Sequence, residues 1–282
     1  MKELAWVNGV VSEIGEAKIS CLDRGHIFGD GVYEVIRVYG GKPFAQKEHL
    51  DRLFRSLEAI KISKPMGQSE LAFLLTELVM DSGIMEAQIY LQVTRGIAPR
   101  THAFPPAHIK PSLVVFVSKV EPLDLALRDK GGKAVTVPDD RWKHCYIKSI
   151  NLLPNVLAKE TAKCSGVHEA IFVREGDIVS EGSSSNVFVV VEGKLITPPT
   201  DGRILAGITR GIFIKLAREM GFEVREEELA LAKLRSADEV FFTGTLSEFL
   251  PIVELDGKLI CNGVVGPVGQ KLYAAYRKLC LQ

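Results

Sequence analysis

The sequence predicts a two-domain protein of the α/β or α+β class with mixed sheets. Segments with strand character and segments with helical spacing are interleaved along most of the 282 residues. Hairpin-like connections are frequent, which argues against a doubly wound parallel sheet. A charged interval that ends in Gly131-Gly132 separates two halves of the chain. We therefore expect a smaller N-terminal α/β domain at residues 1–120, a linker at 121–132 and a larger C-terminal α/β domain at 133–282.

The composition favours a small-molecule enzyme or a soluble scaffold. The 35 basic and 35 acidic residues cancel, so no electrostatic case exists for nucleic acid or an anionic membrane as a partner. No apolar run approaches the ~20 residues of a membrane-spanning helix. The apolar stretch at residues 4–11 is too short and too polar for the apolar region of a signal peptide. The five cysteines and six histidines form no metal-like cluster. We expect reduced thiols in a cytoplasmic protein without a metal.

In the N-terminal half, residues 5–11 and 16–20 predict a first hairpin. A strand at 32–39 follows, and its period of two places Tyr33 on one face with Val35 and Arg37. Gly40-Gly41 is a turn signal that returns the chain. The other predicted elements are a helix with Leu50, Leu53, Phe54, Leu57 and Ile60 at helical spacing, a helix at 69–82, and strands at 87–95 and 113–120.

A proline-rich segment between the last two of these strands is predicted to be a loop, because proline removes the hydrogen-bond donors that a strand needs. This loop contains Arg100 and His102. Loops held by proline on a rigid scaffold often carry binding residues. By itself, however, the pair is also typical of a solvated loop.

In the C-terminal half, strands and helices are interleaved. The predicted strands are 133–138, 168–173, 186–191, 238–243 and 249–255, and the predicted helices are 151–165, 209–220 and 267–279. Gly207-Ile-Thr-Arg210 opens the second of these helices, with Thr209 near its N-cap. A helix start of this kind offers free N–H groups to an anion, although on sequence alone an ordinary capped helix is the simpler interpretation.

Two further segments contain residue types that belong to one chemistry. Lys148 lies at the junction of a predicted strand and helix, and Glu181 leads into a Gly/Ser loop that ends at Asn186. A lysine nucleophile needs nearby cations or apolar walls to lose its proton near neutral pH. A carboxylate beside a bound pyridine ring favours the protonated ring. Alone, Lys148 is also typical of a surface lysine and Glu181 of a residue before a turn.

The runs Tyr146-Ile-Lys-Ser-Ile-Asn-Leu-Leu and Val179-Ser-Glu-Gly-Ser-Ser-Ser-Asn186 resemble the lysine and glutamate motifs of the fold-type IV pyridoxal-phosphate enzymes. That family includes D-amino acid transaminases, branched-chain aminotransferases and aminodeoxychorismate lyases. Matching segments at Phe28–Glu34, Thr94–Phe104 and Thr243–Glu248 extend the resemblance over nearly the whole chain. Within the family, the chain is most similar to the D-amino acid transaminases.

The resemblance implies a role for each matched residue. Lys148, in the predicted C-terminal domain, would bind pyridoxal 5′-phosphate as a Schiff base and move the substrate proton, while Glu181 would hold the pyridine nitrogen protonated. The positions that match phosphate-binding residues of the family are Arg52, Ile208, Thr209 and Thr245. Other positions near the cofactor are matched by Ser184, Asn186 and, against the ring, the apolar Leu205.

Substrate choice depends on Tyr33, Arg100 and His102, which resemble the carboxylate trap of D-amino acid transaminases. Arginine can hold a carboxylate through two parallel hydrogen bonds. Branched-chain enzymes, as a family, do not show this Arg-x-His loop. The resemblance therefore implies ping-pong transamination between a D-amino acid, such as D-alanine or D-glutamate, and a 2-oxo acid, such as pyruvate or 2-oxoglutarate. It also implies a homodimer in which Arg100 and His102 act in trans.

Other functions fit the same Lys148 and Glu181 motifs. One alternative is a branched-chain or (R)-amine transaminase, and another is an aminodeoxychorismate lyase, which would eliminate pyruvate with the same cofactor. A protein that only stores the cofactor or acts as a scaffold is the non-enzyme alternative, and the intact Lys148 argues against it.

Overall fold

A computed structural model describes residues 1–281 and divides the chain into two compact units. The first unit contains residues 1–121 together with Ile147–Asn151, and the second contains residues 122–146 and the chain from Leu152 onward. Lys148 therefore belongs to the first unit, whereas the sequence analysis assigned it to the domain at 133–282.

The first unit is a six-stranded antiparallel sheet with two long helices. Its strands are β1 (Leu4–Val7), β2 (Val10–Glu13), β3 (Gly31–Tyr39), β4 (Lys42–Pro43), β5 (Ala87–Thr94) and β6 (Ser112–Lys119). Its helices are α1 (Arg24–Phe28), α2 (Gln46–Ala59) and α3 (Gln68–Ser82). The order across the sheet is β2-β1-β6-β5-β3-β4.

The core of the first unit lies on the face of the sheet that α2 and α3 cover. Alternate residues of β5, such as Ile89, Leu91 and Val93, are fully buried there with the apolar stripes of both helices. The opposite face carries a column of stacked rings. Tyr33 and Tyr90 have centroids 5.7 Å apart, and Tyr90 and Phe116 have centroids 4.7 Å apart. Tyr33 is thus directed away from the helices.

The first hairpin differs from its prediction. The second strand was expected at 16–20, but it is Val10–Glu13, and residues 14–16 form a short 3-10 helix. The turn is the pair Asn8-Gly9, whose φ angles are 49° and 101°. Asn-Gly is the preferred pair for a two-residue hairpin turn. The strand predicted at 5–11 was therefore wrong in including this turn.

The second unit contains a ten-stranded mixed sheet and five helices. Its strands are β7 (Gly132–Pro138), β8 (Glu169–Arg174), β9 (Ile178–Gly182), β10 (Asn186–Val191), β11 (Lys194–Thr197), β12 (Val224–Glu226), β13 (Leu229–Ala230), β14 (Glu239–Gly244), β15 (Glu248–Leu255) and β16 (Lys258–Leu259). Its helices are α4 (Leu125–Lys130), α5 (Leu153–Cys164), α6 (Ile208–Glu219), α7 (Leu231–Arg235) and α8 (Pro267–Cys280).

The order of the second sheet is β12-β11-β10-β14-β15-β7-β8-β9-β13, with β16 beside β15. The pairs β11–β12, β15–β7 and β7–β8 are parallel, and the other neighbours are antiparallel. This mixture confirms the predicted mixed sheets. The interval predicted as a linker, 121–132, contains α4.

One face of this sheet packs an aromatic core beneath α6 and α8. The rings of Phe188 and Phe241 are stacked with centroids 5.2 Å apart, and Phe213 of α6 lies 6.0 Å from Phe241. Tyr276 of α8 lies 5.4 Å from Phe213. All four rings are at most 1% exposed, so this packing holds α6 firmly on the sheet.

Within residues 1–281, no helix combines the length and the apolar character that crossing a membrane requires.

Candidate active site

The backbone around Lys148 is fixed by pairing with β3. Tyr33 N donates to Lys148 O at 3.0 Å, and Ile150 N donates to Gly31 O at 3.1 Å. Since β4 pairs only with Val38 and Tyr39, the start of β3 has an open edge, and residues 147–151 occupy it. The Lys148 N–H itself donates to Ser56 Oγ on α2 at 3.2 Å. The lysine is therefore held on regular structure, as a reactive group should be.

The side chain of Lys148 is directed at Tyr33. Its Nζ donates to Tyr33 Oη at 3.2 Å and lies 4.3 Å from the centroid of the Tyr33 ring. Tyr33 therefore holds the amine through both its hydroxyl and its ring. Because Lys148 is only half-buried, one side of its side chain stays accessible. An amine in this position can attack a carbonyl carbon. Tyr33 and Lys148, predicted from separate segments, are thus in contact.

Beneath β3, Arg52 forms a buried ion pair with Glu34. Arg52 Nε and Nη2 donate to the two Glu34 oxygens at 2.6 and 2.8 Å, and His49 Nδ1 lies 2.8 Å from Glu34 Oε2. Burial opposes ionisation of Glu34, but the charge and hydrogen bonds of Arg52 outweigh it and lower the pKa of Glu34 to about 2. Burial lowers the pKa of His49. The positive charges of Arg52 and Lys148 also lower this pKa, whereas Glu34 raises it. Glu34 thus fixes the orientation of Arg52, the predicted phosphate ligand.

Arg100 and His102 lie on an exposed loop of the first unit. Both contact Phe28 at the end of α1: the Arg100 guanidinium lies 5.3 Å and the His102 ring 5.4 Å from the centroid of its ring. Across the part of the chain that the structure describes, neither residue forms a hydrogen bond with Tyr33 or Lys148. The structure thus joins Tyr33 to Lys148, but leaves the other two members of the predicted trap apart from them.

In the second unit, Glu181 lies near the end of β9 and is 5% exposed. Its Oε2 accepts hydrogen bonds from Asn186 Nδ2 and from Leu205 N, both at 3.1 Å. Asn186 Nδ2 also donates to Leu205 O at 2.9 Å, which closes a small network. Three residues that the sequence analysis named separately therefore meet at one place.

Arg141, which the sequence analysis missed together with its partner Asp139, neutralises Glu181 in part. Arg141 Nη1 donates to Glu181 Oε1 at 2.8 Å, while its Nε and Nη2 bind Asp139 at 2.8 and 3.1 Å. Burial raises the pKa of Glu181, and Arg141 only limits the rise because it is shared with Asp139. Asp139 and Arg141 directly follow β7, but no spacing rule joins them to a residue 40 positions away.

The first turn of α6 lies against the same network. Gly207 is its N-cap residue, and a Cβ at this position would come within 2.0 Å of Asn186 Oδ1, so only glycine allows this approach. With Gly207 as the N-cap residue, the helix begins at Ile208, one residue before the predicted start. Thr209 is buried in its first turn. The N–H groups of such a turn, with the positive end of the helix dipole, suit a phosphate.

Hydroxyl residues lie in and beside the strands at Asn186, whose side chain contacts this helix start. Thr243, the cross-strand neighbour of Asn186, is 1% exposed, and its Oγ1 has no hydrogen-bond partner among the described residues. Thr245 lies in the turn that follows β14, and Gly244, the last residue of β14, approaches the backbone of Ser184. Ser184 itself is exposed. A buried hydroxyl without a partner fits a site that receives a polar group such as phosphate.

No group of three or more histidine, cysteine, aspartate or glutamate side chains suited to a metal ion occurs within residues 1–281.

Comparisons with known proteins agree with this chemistry. The amino-transferase class IV family matches residues 31–255. The D-alanine aminotransferase of Staphylococcus haemolyticus is 40% identical over 274 residues, covering 97% of this chain and 96% of that protein. The D-alanine aminotransferase of Listeria monocytogenes is 41% identical over 268 residues, covering 95% and 92%. Among solved structures, the branched-chain amino acid aminotransferase of Escherichia coli has a TM-score of 0.91 at 28% identity, covering 99% of this chain and 95% of that chain.

Proposed function

Because the chain belongs to the amino-transferase class IV family, we propose that it transfers the amino group of a D-amino acid to a 2-oxo acid, with pyridoxal 5′-phosphate as its cofactor. The observation that carries this proposal is the contact between Lys148 Nζ and Tyr33 Oη, which holds an amine ready for a carbonyl group. The identity of about 40% with D-alanine aminotransferases over nearly the whole chain supports D-alanine as a donor. Pyruvate, 2-oxoglutarate and D-glutamate are the other expected substrates.

Lys148 would hold the cofactor covalently through Nζ and, once released by substrate, would take the proton from the substrate α-carbon. When bound, the cofactor supplies an electron sink for the charge left at that carbon. Glu181, buried and with a raised pKa, would keep the pyridine nitrogen protonated, since a cation beside it is favoured by the carboxylate. Leu205 would pack against the ring, and Asn186 would orient Glu181.

The phosphate would be bound by N–H and hydroxyl donors at the start of α6 together with one arginine. The proposed ligands are Ile208, Thr209, Thr245 and Arg52, with Ser184 as a neighbour of the cofactor. The buried Thr243 hydroxyl beside Asn186 supports this location, because an unpaired hydroxyl gains a partner when an anion binds.

We further propose that Arg100 and His102 bind the substrate carboxylate in the site of a partner subunit, where Tyr33 completes the trap. Two observations support the trans arrangement. Both residues are exposed, and neither forms a hydrogen bond to Tyr33 or Lys148 of its own chain among the described residues. A cytoplasmic location remains a prediction.

The covalent role of Lys148 is tested by reduction with borohydride after loading with pyridoxal phosphate, followed by peptide mapping. We expect the adduct on Lys148, and loss of the adduct in Lys148→Ala but not in Lys159→Ala, because Lys159 Nζ is hydrogen-bonded to His168 O. A reduced adduct on another lysine would exclude the proposed site.

A branched-chain aminotransferase is the second candidate. It is favoured by the TM-score of 0.91 with the Escherichia coli enzyme and of 0.88 with a second branched-chain amino acid aminotransferase, whose structure was solved with pyridoxamine 5′-phosphate. The fold itself does not separate these activities. Steady-state rates with D-alanine and with L-leucine, each with 2-oxoglutarate, distinguish the two candidates.

A further inference from the structure

We propose that Arg24, together with Asp30, is a positioning residue that holds the substrate-carboxylate loop, residues 99–104, in its binding geometry. This inference rests on the proposed function, because it requires Arg100 and His102 to bind a carboxylate.

Arg24 is buried beneath the substrate-carboxylate loop and binds its backbone directly. Its Nη1 donates to Thr101 O at 2.6 Å, and its Nη2 donates to His102 O at 3.5 Å. Thr101 is the residue between the two proposed ligands, so this contact fixes the direction in which both side chains leave the backbone. Arg24 is 3% exposed and therefore cannot itself be a solvated surface charge.

Asp30 joins Arg24 to a second arginine that supports the end of the loop. Arg24 Nε and Arg95 Nε both donate to Asp30 Oδ2 at 2.8 Å, and Arg95 Nη2 donates to Oδ1 at 2.9 Å. Arg95 is anchored to Lys61 O at 2.9 Å and lies 3.7 Å from the centroid of the Phe104 ring. One carboxylate thus holds both arginines in place. Arg24 in turn contacts the loop at Thr101, and Arg95 contacts it at Phe104.

The two arginines hold Asp30 in its charged form. Burial opposes ionisation of Asp30, but the hydrogen bonds from Arg95 and Arg24 outweigh it and hold the pKa of Asp30 below its usual value. A planar guanidinium can bind the carboxylate with Nε and both carbonyls with its terminal nitrogens. A lysine ammonium is a point charge and cannot span all three acceptors.

Phe28 contacts the side chains of the loop as well as that of Arg24. The guanidinium groups of Arg24 and Arg100 lie 4.8 and 5.3 Å from the centroid of its ring, and the His102 ring also contacts it. Arg24 therefore controls the backbone of the loop, while it also packs on the ring against which both ligands lie. Displacing this loop by an ångström would misalign two ligands at once.

The test compares Arg24→Lys and Asp30→Asn with the wild-type holoenzyme in steady-state kinetics with D-alanine and 2-oxoglutarate. We expect each variant to raise KM for both substrates about 10- to 100-fold with kcat within about threefold, because binding of the carboxylate is weakened while Lys148 is untouched. The absorption spectrum of the bound cofactor should not change. Hydrogen exchange of the amides at residues 101–104 should become faster.

Arg37→Lys is the matched control. Arg37 is also buried, at 5% exposure, and also binds one carboxylate, Glu86, and two carbonyl groups, Val38 O and Ala87 O. Its contacts among the described residues are with Val38, Tyr39, Glu86 and Ala87, and none of these belongs to the substrate-carboxylate loop. We expect Arg37→Lys to lower thermal stability as Arg24→Lys does, but to leave KM unchanged.

A double variant separates positioning from general stability. In the Arg100→Ala background, Arg24→Lys should raise KM by less than about threefold, because the charged ligand is already absent and only His102 is left to misplace. Full additivity of the two effects would overturn the positioning role. An increase of KM in Arg100→Ala but not in Arg24→Lys would overturn it as well, and would leave the proposed function intact. An unchanged KM in Arg100→Ala would overturn the carboxylate trap itself, and the positioning role with it.

Discussion

Glu181 combines strong burial with incomplete neutralisation. Arg141 is its cationic partner, but two nitrogens of that guanidinium bind Asp139, so burial still raises the pKa of Glu181. A cation that arrives beside Glu181 would remove this penalty. Under the proposed function, a protonated pyridine ring bound here would supply that cation, whereas a neutral ring would not.

Glu181→Gln should still bind the cofactor but lose most of the transamination rate. The amide keeps the size of the side chain but cannot hold the ring nitrogen protonated, and losing such electrostatic stabilisation typically slows turnover by ~10²-fold or more. Glu175→Gln, in the exposed turn before β9, is the control and should keep the wild-type kcat. Near wild-type turnover of Glu181→Gln at full cofactor occupancy would reject the proposed role.

Glu34 gives the fold a defined sensitivity to acid. Its folded pKa of about 2 lies below the ordinary value of 4.5, so its stabilising contribution is present above pH 4.5 and is lost as the pH falls towards 2. Glu34→Gln should lower the free energy of unfolding at pH 7 by about 3–5 kcal/mol, since the buried charge of Arg52 loses the negative charge of Glu34.

The difference in unfolding free energy between wild type and Glu34→Gln should narrow by about 2 kcal/mol from pH 7 to pH 3 in urea titrations of the cofactor-free protein. Glu77→Gln, on the exposed side of α3, should show no such narrowing. A gap that stays constant with pH would mean that Glu34 is not held ionised by Arg52 and His49.

At the scale of elements, the start of α6 depends on one glycine. Gly207 has a φ of −63°, so alanine is acceptable to its backbone, and only the contact with Asn186 excludes a side chain there. Gly207→Ala should therefore displace Asn186 or the first turn of α6 and weaken cofactor binding about 10-fold or more.

Gly211→Ala is the matched control in the same helix, because nothing lies within 4 Å of its missing Cβ. Alanine in a helix interior is favoured over glycine, so this variant should gain up to about 1 kcal/mol in stability with an unchanged Kd for pyridoxal phosphate. Fluorescence titration of both variants measures the comparison. Equal Kd values for the two would show that the close approach at Gly207 has no part in binding the cofactor.

The long elements of this fold are predictable because their patterns are local. The apolar spacing of Leu50, Leu53 and Leu57 indicates α2, and the strand expected at 32–39 is observed at 31–39. The five-residue helix α1 has no such stripe. It begins because Asp23 accepts a hydrogen bond from Gly25 N, and it ends because Gly29 adopts a φ of 65°. Both signals are too short to stand out from a turn.

Candidate residues for the site could be named from the sequence, but their contacts could not. Lys148 and Glu181 are indicated by resemblance, whereas Arg141 and Arg24 form hydrogen bonds with residues 40 and 77 positions away in the chain. Separations of this size are set by sheet topology, which no periodicity in the sequence encodes.

At the scale of the whole molecule, the proposed dimer requires a surface that a second subunit could cover, and α5 carries a candidate. Leu153, Val156 and Leu157 form an apolar stripe on α5 and are 59–68% exposed. Apolar stripes of this kind mark surfaces that a partner covers. The exposed loop with Arg100 and His102 would then reach the site of the other subunit.

Mixing two variants with impaired sites tests whether the loop acts in trans, when activity is measured at substrate concentrations far below the raised KM of Arg100→Ala. A dimer of one Lys148→Ala chain and one Arg100→Ala chain contains one intact site if Arg100 serves the partner, and none if it serves its own chain. We expect activity with D-alanine to return after co-refolding, at about one quarter of the wild-type value, since half of randomly paired dimers are mixed and each has one working site. Proven mixed dimers without activity would reject the trans arrangement.

The central claim, transamination of D-amino acids, is tested most directly by the configuration of the glutamate formed from racemic alanine and 2-oxoglutarate. Chiral chromatography of the products should find D-glutamate, with D-alanine consumed and L-alanine retained. Formation of L-glutamate at the expense of L-alanine would contradict the claim and would favour the branched-chain aminotransferases that share this fold.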